Sequence, residues 1–297
     1  VRALITGAGG FVGGHLRHHL VSSGDEVTGV DRECDVTDID AVRAVVSDVR
    51  PDVVYHLAAM THVGDSWTNA VEFTRVNVLG TKNVLDATYE VAPDAKVVFV
   101  SSSEVYGVVS EDVLPLDEKF RTAPANPYSA SKLEAELLAK EARRTRGQRV
   151  IIARPFNHVG PGQADHFVVP ALVSRLFAAL HAGQHEISVG DLSTRRDFSD
   201  VRDVVRAYRL LSEFGQSPEA YNVCSGHDTS ILEVATFLQR EIAPDVTFAL
   251  DERQLRPVEI PVMRGSFNKL HETTGWEPSI TLETSLRDVI AEHRSKK

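Results

Sequence analysis

Short apolar runs alternate with longer stretches of helical periodicity through the first half of the chain. Residues 1–6, 26–31, 53–56, 97–101 and 150–153 are short, mostly β-branched segments, several of them near-continuous apolar runs. That is the pattern of parallel strands covered on both faces. Residues 11–22, 38–49, 67–89 and 128–144 read as helices and supply the crossovers. Alternating β and α units of this kind predict an α/β fold with a doubly wound parallel sheet. After Pro155 the pattern changes. Gly160-Pro161-Gly162 breaks the chain, and helices are expected at 167–181, 201–212, 231–242 and 282–293, with strands near 186–189 and 220–223. This mixture predicts a smaller C-terminal α/β lobe. The expected division is 1–157 for the first domain, with segments near 191–225 returning to it, and 158–190 with 226–297 for the lobe. No repeat or low-complexity linker intervenes, which favours close packing with a site between the two units.

Gly7-Ala8-Gly9-Gly10-Phe11-Val12-Gly13 stands where the first strand meets the first helix. Gly7 permits a tight turn, Gly10 lets backbone approach a pyrophosphate, and Gly13 lets helix pack on strand. The helix N-terminus, with Phe11 and Val12 in its first turn, then offers N–H groups to phosphates. Asp31 ends the second strand, where an acid can accept hydrogen bonds from an adenosine ribose. Together these residues predict a Rossmann-type dinucleotide site. Asp31 repels a 2′-phosphate and favours NAD(H); Arg32 beside it keeps NADP(H) open. Only three residues separate Asp31 from Asp35. On that spacing the usual helix between the second and third strands is missing, and Asp35-Val36 flank the adenine.

Composition narrows the classes. The chain has 297 residues, 42% hydrophobic and 25% charged, enough for one large core or two domains sharing a cleft. A net charge of −10 argues against a nucleic-acid surface. No apolar stretch approaches the ~20 residues of a membrane helix, and the first apolar run breaks at Gly7, unlike a signal peptide. The two cysteines, Cys34 and Cys224, have no metal or redox spacing, which fits a reduced, cytoplasmic setting. His15, His18 and His19 share a helix face, yet no cysteine or carboxylate completes a ligand set, so no metal is expected.

Tyr128 and Lys132 stand four residues apart on one predicted helix face. A lysine near a tyrosine lowers the phenol pKa and helps it exchange a proton with a carbonyl or alcohol. The strand ending at Ser101 runs into Ser102-Ser103-Glu104 at the carboxyl end of the sheet, where substrates bind. A non-catalytic dinucleotide sensor would tend to lack the tyrosine or the lysine; both are present.

With these motifs the chain resembles the extended short-chain dehydrogenase/reductase superfamily over nearly its whole length. The matching segments are residues 6–13, His56-Leu57-Ala58-Ala59, Asn77, residues 101–107, residues 128–132 and Arg154-Pro155-Phe156-Asn157. The resemblance implies that Ser102 or Ser103 orients the reacting oxygen, that Tyr128 is the acid/base, and that Lys132 supports tyrosine and cofactor. It also puts Leu57, Ala58, Ala59, Asn77, Ser101 and Pro155 at the cofactor. Residues 154–163, 167–170, 190–192, 195–198 and 255–259 look like segments that bind the nucleotide sugar in GDP-sugar enzymes. That implies substrate contacts from Asn157, Val169, Arg175, Arg196, Arg256 and Glu259; arginines fork onto phosphate oxygens, and Glu259 can accept ribose hydroxyl protons. Within the superfamily the chain is most similar to the group of GDP-4-keto-6-deoxymannose reductases and GDP-mannose 4,6-dehydratases. Glu104 suits a dehydratase base, and residues 59–63 look more like the dehydratases, while the compact chain favours C4 reduction. Reduction is the favoured expectation; dehydration, then C4 epimerisation, are the alternatives. Helices 67–89 and 128–144 resemble those that pair as a four-helix bundle in related enzymes, so a homodimer is expected, with Leu85, Leu137 and Leu138 on its exposed faces.

Overall fold

The computed structural model describes residues 1–255, 258 and 260–296. The first half runs β1 (Arg2–Thr6), α1 (Phe11–Ser22), β2 (Glu26–Val30), α2 (Ile39–Val49), β3 (Val53–His56), α3 (Val63–Ser66), α4 (Ala70–Thr74), a π-helical turn (Arg75–Leu79), α5 (Gly80–Val91), β4 (Lys96–Val100), α6 (Pro127–Arg146) and β5 (Arg149–Pro155). The second half follows as β6 (Asn157–Val159), α7 (Val168–Ala182), β7 (Glu186–Val189), β8 (Arg195–Asp200), α8 (Val201–Phe214), β9 (Ala220–Val223), β10 (Asp228–Ser230), α9 (Ile231–Ile242), β11 (Thr247–Leu250), β12 (Val262–Met263), α10 (Asn268–Thr274) and α11 (Leu282–Ser295).

The main sheet has the order β2-β1-β3-β4-β5-β9, parallel throughout. Its apolar runs are buried from both sides. Ile5, Tyr55, Val98 and Ala153 pack with α1 and α8, while Leu4, Val54, Val97 and Ile152 pack with α2, α5 and α6. Fully burying such a side chain contributes ~1.5–3 kcal/mol, so these runs settle the sheet. The chain passes from β1 to β2 on one side and then, crossing over β1, to β3 on the other. This is the switch point at which a doubly wound sheet opens a crevice at its carboxyl edge.

Two expectations about the crossovers change. α2 stands between β2 and β3, so the short Asp31–Asp35 spacing removes no helix; Asp38 caps α2 by accepting the N–H groups of Asp40 and Ala41. The single helix expected over 67–89 is divided into α3, α4, the π turn and α5. Asn69 and Thr68 both turn their side chains back onto the Asp65 carbonyl, which interrupts the helix there.

In the second half only β9 joins the main sheet. β8 instead centres a second sheet, antiparallel to β10 and parallel to β12 and β6. β7 and β11 form a separate parallel pair. A distinct core of Leu172, Leu176, Leu238, Val289 and their neighbours lies beneath α7, α9 and α11. Leu85 is buried in the main core and Leu138 is half-buried against it, so neither lies on an open face; Leu137 is 59% exposed. Among the described residues no helix is long and apolar enough to cross a membrane.

Candidate active site

Five consecutive segments at the carboxyl edge of the sheet carry the expected residues: Gly7 after β1, Asp31 after β2, Leu57–Ala59 after β3, Ser101–Ser103 after β4 and Asn157 after β5. Gly7 has φ +75°, and a Cβ there would lie 2.8 Å from the Ala58 nitrogen. A Cβ on Gly13 would lie 2.2 Å from the Gly7 oxygen, so helix and turn are in contact. Gly10 is the N-cap of α1, and no side chain caps that helix. Gly9 and Gly10 are exposed, and Phe11 and Val12 half-buried. The first-turn N–H groups thus remain available to phosphate, and the cradle fits a dinucleotide. Gly9 was not singled out by the motif, yet its missing Cβ would fall 2.6 Å from Asp31 Oδ2. Arg32 is exposed. Asp35 accepts from the amide and hydroxyl of Thr37. Val36 is buried in the core beneath α2 and α5, so its side chain does not flank an adenine.

The proton-transfer groups converge from α6 and the turn after β4. Asn126 caps α6 reciprocally with Ser129, and Pro127 opens it, which fixes where the first helical turn places Tyr128. The Tyr128 ring meets Phe73 edge-on at 6.3 Å, and Ser102 is near enough to its phenol to influence it. Ser102 and Ser103 are both buried, Ser103 at the start of a 3₁₀ turn that Ser102 caps by accepting the Glu104 N–H. Burial pushes the Tyr128 phenol up to about 12, with Ser102 opposing and Glu104 adding to the rise. Lys132 is also buried. Its ammonium donates to the Val100 carbonyl at 2.8 Å and lies 5.4 Å from the Phe99 ring centre. Burial pulls Lys132 down to about 8, and Glu136 pulls it back. The expected lowering of the phenol by this lysine is not seen: burial dominates the Tyr128 shift, and the Lys132 ammonium is directed to the Val100 carbonyl. Glu104 is half-buried, with Oε2 accepting from Asn126 Nδ2 at 3.1 Å.

Beneath these groups lies a buried ion pair that sequence reading did not single out. Arg154 donates through Nε and Nη2 to the two Glu136 oxygens at 2.9 and 2.7 Å. Ser101 donates to the same carboxylate at 2.6 Å, so its hydroxyl faces Glu136. Glu136 stands one turn beyond Lys132; a charged side chain on the inner face of α6, matched to an arginine in an apolar strand, was the available signal. Asn77, in the π turn, is 1% exposed. Its amide bonds both the N–H and the carbonyl of Met60 and donates to Ser131. It clamps the loop after Ala58-Ala59 to α6. Pro155 is buried at the end of β5.

The lobe residues separate. Asn157 is exposed where β5 hands over to β6. Phe11 at the start of α1 stacks on His158 at 6.0 Å. Val169 is 1% exposed, packed in the lobe core, so it lines no cleft. Arg175 is exposed and donates to the Ser188 carbonyl and to Gln254. Arg196 is 6% exposed and donates to the Arg195 carbonyl, so burial and that bond hold its guanidinium in the second sheet. Arg256 and Glu259 lie outside the described residues. A cavity of about 360 Å³, lined by Met60, Thr61, His62, Asp65, Phe73 and His166, adjoins Tyr128 through Phe73. A larger one of about 640 Å³ opens where β1, β3, β4 and β5 begin, remote from these groups.

The profile of the NAD dependent epimerase/dehydratase family matches residues 3–224. The chain is 37% identical to a GDP-6-deoxy-D-mannose reductase of Pseudomonas aeruginosa, over 99% of this chain and 98% of that one. It superposes with a TM-score of 0.90 on the structure of RMD from Pseudomonas aeruginosa complexed with NADPH, 35% identical and covering each chain fully. A GDP-mannose 4,6-dehydratase of Vibrio cholerae is 24% identical over 98% of this chain and 93% of that one.

Proposed function

Because the chain belongs to the NAD dependent epimerase/dehydratase family, we propose that it reduces the C4 keto group of a GDP-4-keto-6-deoxyhexose with a nicotinamide dinucleotide. The observation that carries this reading is the end-to-end similarity to a GDP-6-deoxy-D-mannose reductase, closer than that to the dehydratase. Glu104 supports it: its carboxylate is engaged by Asn126, whereas dehydration needs a base for the sugar C5 proton.

The bound cofactor supplies the hydride. Tyr128 gives its phenolic proton to the alkoxide forming at C4, and Ser102 donates a hydrogen bond to the same oxygen. Lys132 holds a positive charge one turn along α6, where it balances the phenolate left behind. Holding both reactants in one cleft supplies orientation. Gly7, Gly9, Gly10 and Gly13 receive the pyrophosphate and Asp31 the adenosine ribose. NAD(H) is favoured by Asp31, and NADP(H) is accommodated through the exposed Arg32. Asn157 in β6 and Arg196 in β8, with Arg175 in α7, are the residues offered to the nucleotide sugar, with GDP favoured.

The protein would act as a homodimer through α4, the π turn, α5 and α6, where Val71, Leu79 and Leu137 are 85%, 44% and 59% exposed. Twice the chain mass by sedimentation at micromolar concentration is expected; a monomer would remove the dimer. Its buried free thiols, Cys34 and Cys224, suit the cytoplasm.

The reaction is tested with purified protein. Given the GDP-4-keto-6-deoxy sugar, it should consume NADH or NADPH mole for mole. Given GDP-mannose with NAD, it should form no 4-keto product. Conversion of GDP-mannose without net cofactor consumption, abolished by Glu104→Gln, would replace reduction with dehydration.

A further inference from the structure

His56, the last residue of β3, is buried, and each ring nitrogen meets a threonine hydroxyl. Nδ1 lies 2.8 Å from Thr6 Oγ1, and Nε2 lies 3.0 Å from Thr81 Oγ1. The two hydroxyls have different obligations, and these fix the protons. Thr81 donates its only hydroxyl hydrogen to the Asn77 carbonyl at 2.6 Å. It must therefore accept from the ring, so Nε2 carries a hydrogen. Thr6 Oγ1 accepts the Ala58 N–H at 3.3 Å, and its own hydrogen is directed to Nδ1. A second ring proton would strand that hydroxyl hydrogen and set two donors against each other. Burial, and then the nearby charge of Lys132, pull the ring pKa down to about 3, in the same direction.

We infer that His56 is a positioning residue, held as the neutral Nε2–H tautomer, whose proton order sets the Ala58 amide against the glycine turn. The inference rests on the reading of that turn as a dinucleotide site. The place it governs is the tightest in the cradle. A Cβ on Gly7 would meet the Ala58 nitrogen at 2.8 Å, and Thr6 immediately precedes Gly7. From Asn77 the bonds continue through its side chain to Ser131, which donates to the Tyr128 carbonyl at 2.7 Å. β1, β3, the π turn, α5 and α6 are thus tied by one set of bonds in which the imidazole is the link between Thr6 and Thr81. The reversed tautomer would face the Thr81 oxygen with a lone pair and leave a Thr6 hydrogen buried without an acceptor, a cost larger than the worth of an ordinary hydrogen bond.

Long-range ¹H–¹⁵N spectra of histidine-labelled wild-type protein read the tautomer directly, with His56 assigned by the signal lost in His56→Gln. The expected result is Nε2–H alone, unchanged down to about pH 5, well below the ordinary histidine range. An Nδ1–H ring, or a protonated one at that pH, overturns the inference. Thr6→Val removes both the donor to Nδ1 and the acceptor for Ala58, whereas Thr6→Ser keeps them. Thr6→Val should raise KM for the dinucleotide about tenfold, with kcat changed less than about twofold and Thr6→Ser near wild type. An unchanged cofactor KM, or a loss in kcat alone, removes the positioning role. If Thr6→Val does not fold, the wild-type spectra still decide. Should calorimetry show that wild type binds neither NAD(H) nor NADP(H), the functional reading fails while the tautomer stands or falls on the spectra.

Discussion

The Asp31 carboxylate rests against Gly9, with Oδ2 2.6 Å from the point a Cβ on residue 9 would occupy. The two residues follow adjacent strands, since β1 and β2 pair from Arg2↔Glu26 to Thr6↔Val30. The acid that would hold a ribose and the turn that would hold phosphates therefore share one wall. The obstruction at residue 9 is the end of a side chain that can swing, whereas at Gly13 it is the backbone of Gly7 and Ala8.

Gly9→Ala should consequently fold with nearly wild-type stability but displace Asp31, raising KM for the dinucleotide about tenfold. Gly13→Ala should instead lose ~1–3 kcal/mol or more, as overpacking does. Urea melts and steady-state kinetics on the pair distinguish the two; equal cofactor KM for Gly9→Ala and wild type would detach Asp31 from the ribose.

Asp31→Ser removes the like charge that a 2′-phosphate would meet. The ratio of kcat/KM for NADPH over NADH should rise about tenfold. A ratio that stays fixed would assign the selection to Arg32 instead.

Tyr128→Phe deletes the hydroxyl that would carry the transferable proton and leaves the ring. kcat should fall by ~10²–10⁴, the usual worth of a positioned general acid, while cofactor affinity by calorimetry stays within about twofold. Near-normal turnover would take Tyr128 out of the mechanism.

Glu136→Gln leaves Arg154 buried without its counter-charge, which should lower unfolding free energy by ~3–5 kcal/mol. The Lys132 ammonium also loses the carboxylate that pulls its pKa back toward the ordinary value. A lysine is charged below its pKa, so a further fall brings its loss of charge to lower pH. The alkaline limb of the kcat/KM profile should move down by about one pH unit. An unmoved limb in a destabilised variant would mark the pair as structural only.

The inner strands β1, β3, β4 and β5 of the main sheet were legible because each is a short, mostly apolar run that can be satisfied only by burial on both faces. Helices 11–22 and 231–242 matched the observed α1 and α9 residue for residue, the first because the glycine turn marks its start and the second because periodicity and the Ser230–Glu233 capping box agree. The catalytic helix was legible for a local reason as well: Tyr128 and Lys132 are joined by the geometry of one helix turn. The short strands β6, β8, β10 and β12 were not. They carry polar residues such as Arg196 and Asp197, whose partners lie far away in sequence.

The sequence by itself determined what local rules govern: the alternation of strand and helix, the glycine turn, the acid after β2, and the Tyr128–Lys132 spacing. That Gly9 yields its space to Asp31, that Glu136 and Arg154 pair beneath Lys132, and that His56 has only one consistent proton order were decided by tertiary structure. Each depends on groups brought together across 18 to 50 residues or more of chain, and around His56 and Glu136 burial leaves no water to substitute for a missing partner. Local periodicity carries no record of such distant obligations, because they arise only once the sheet has set its strands side by side.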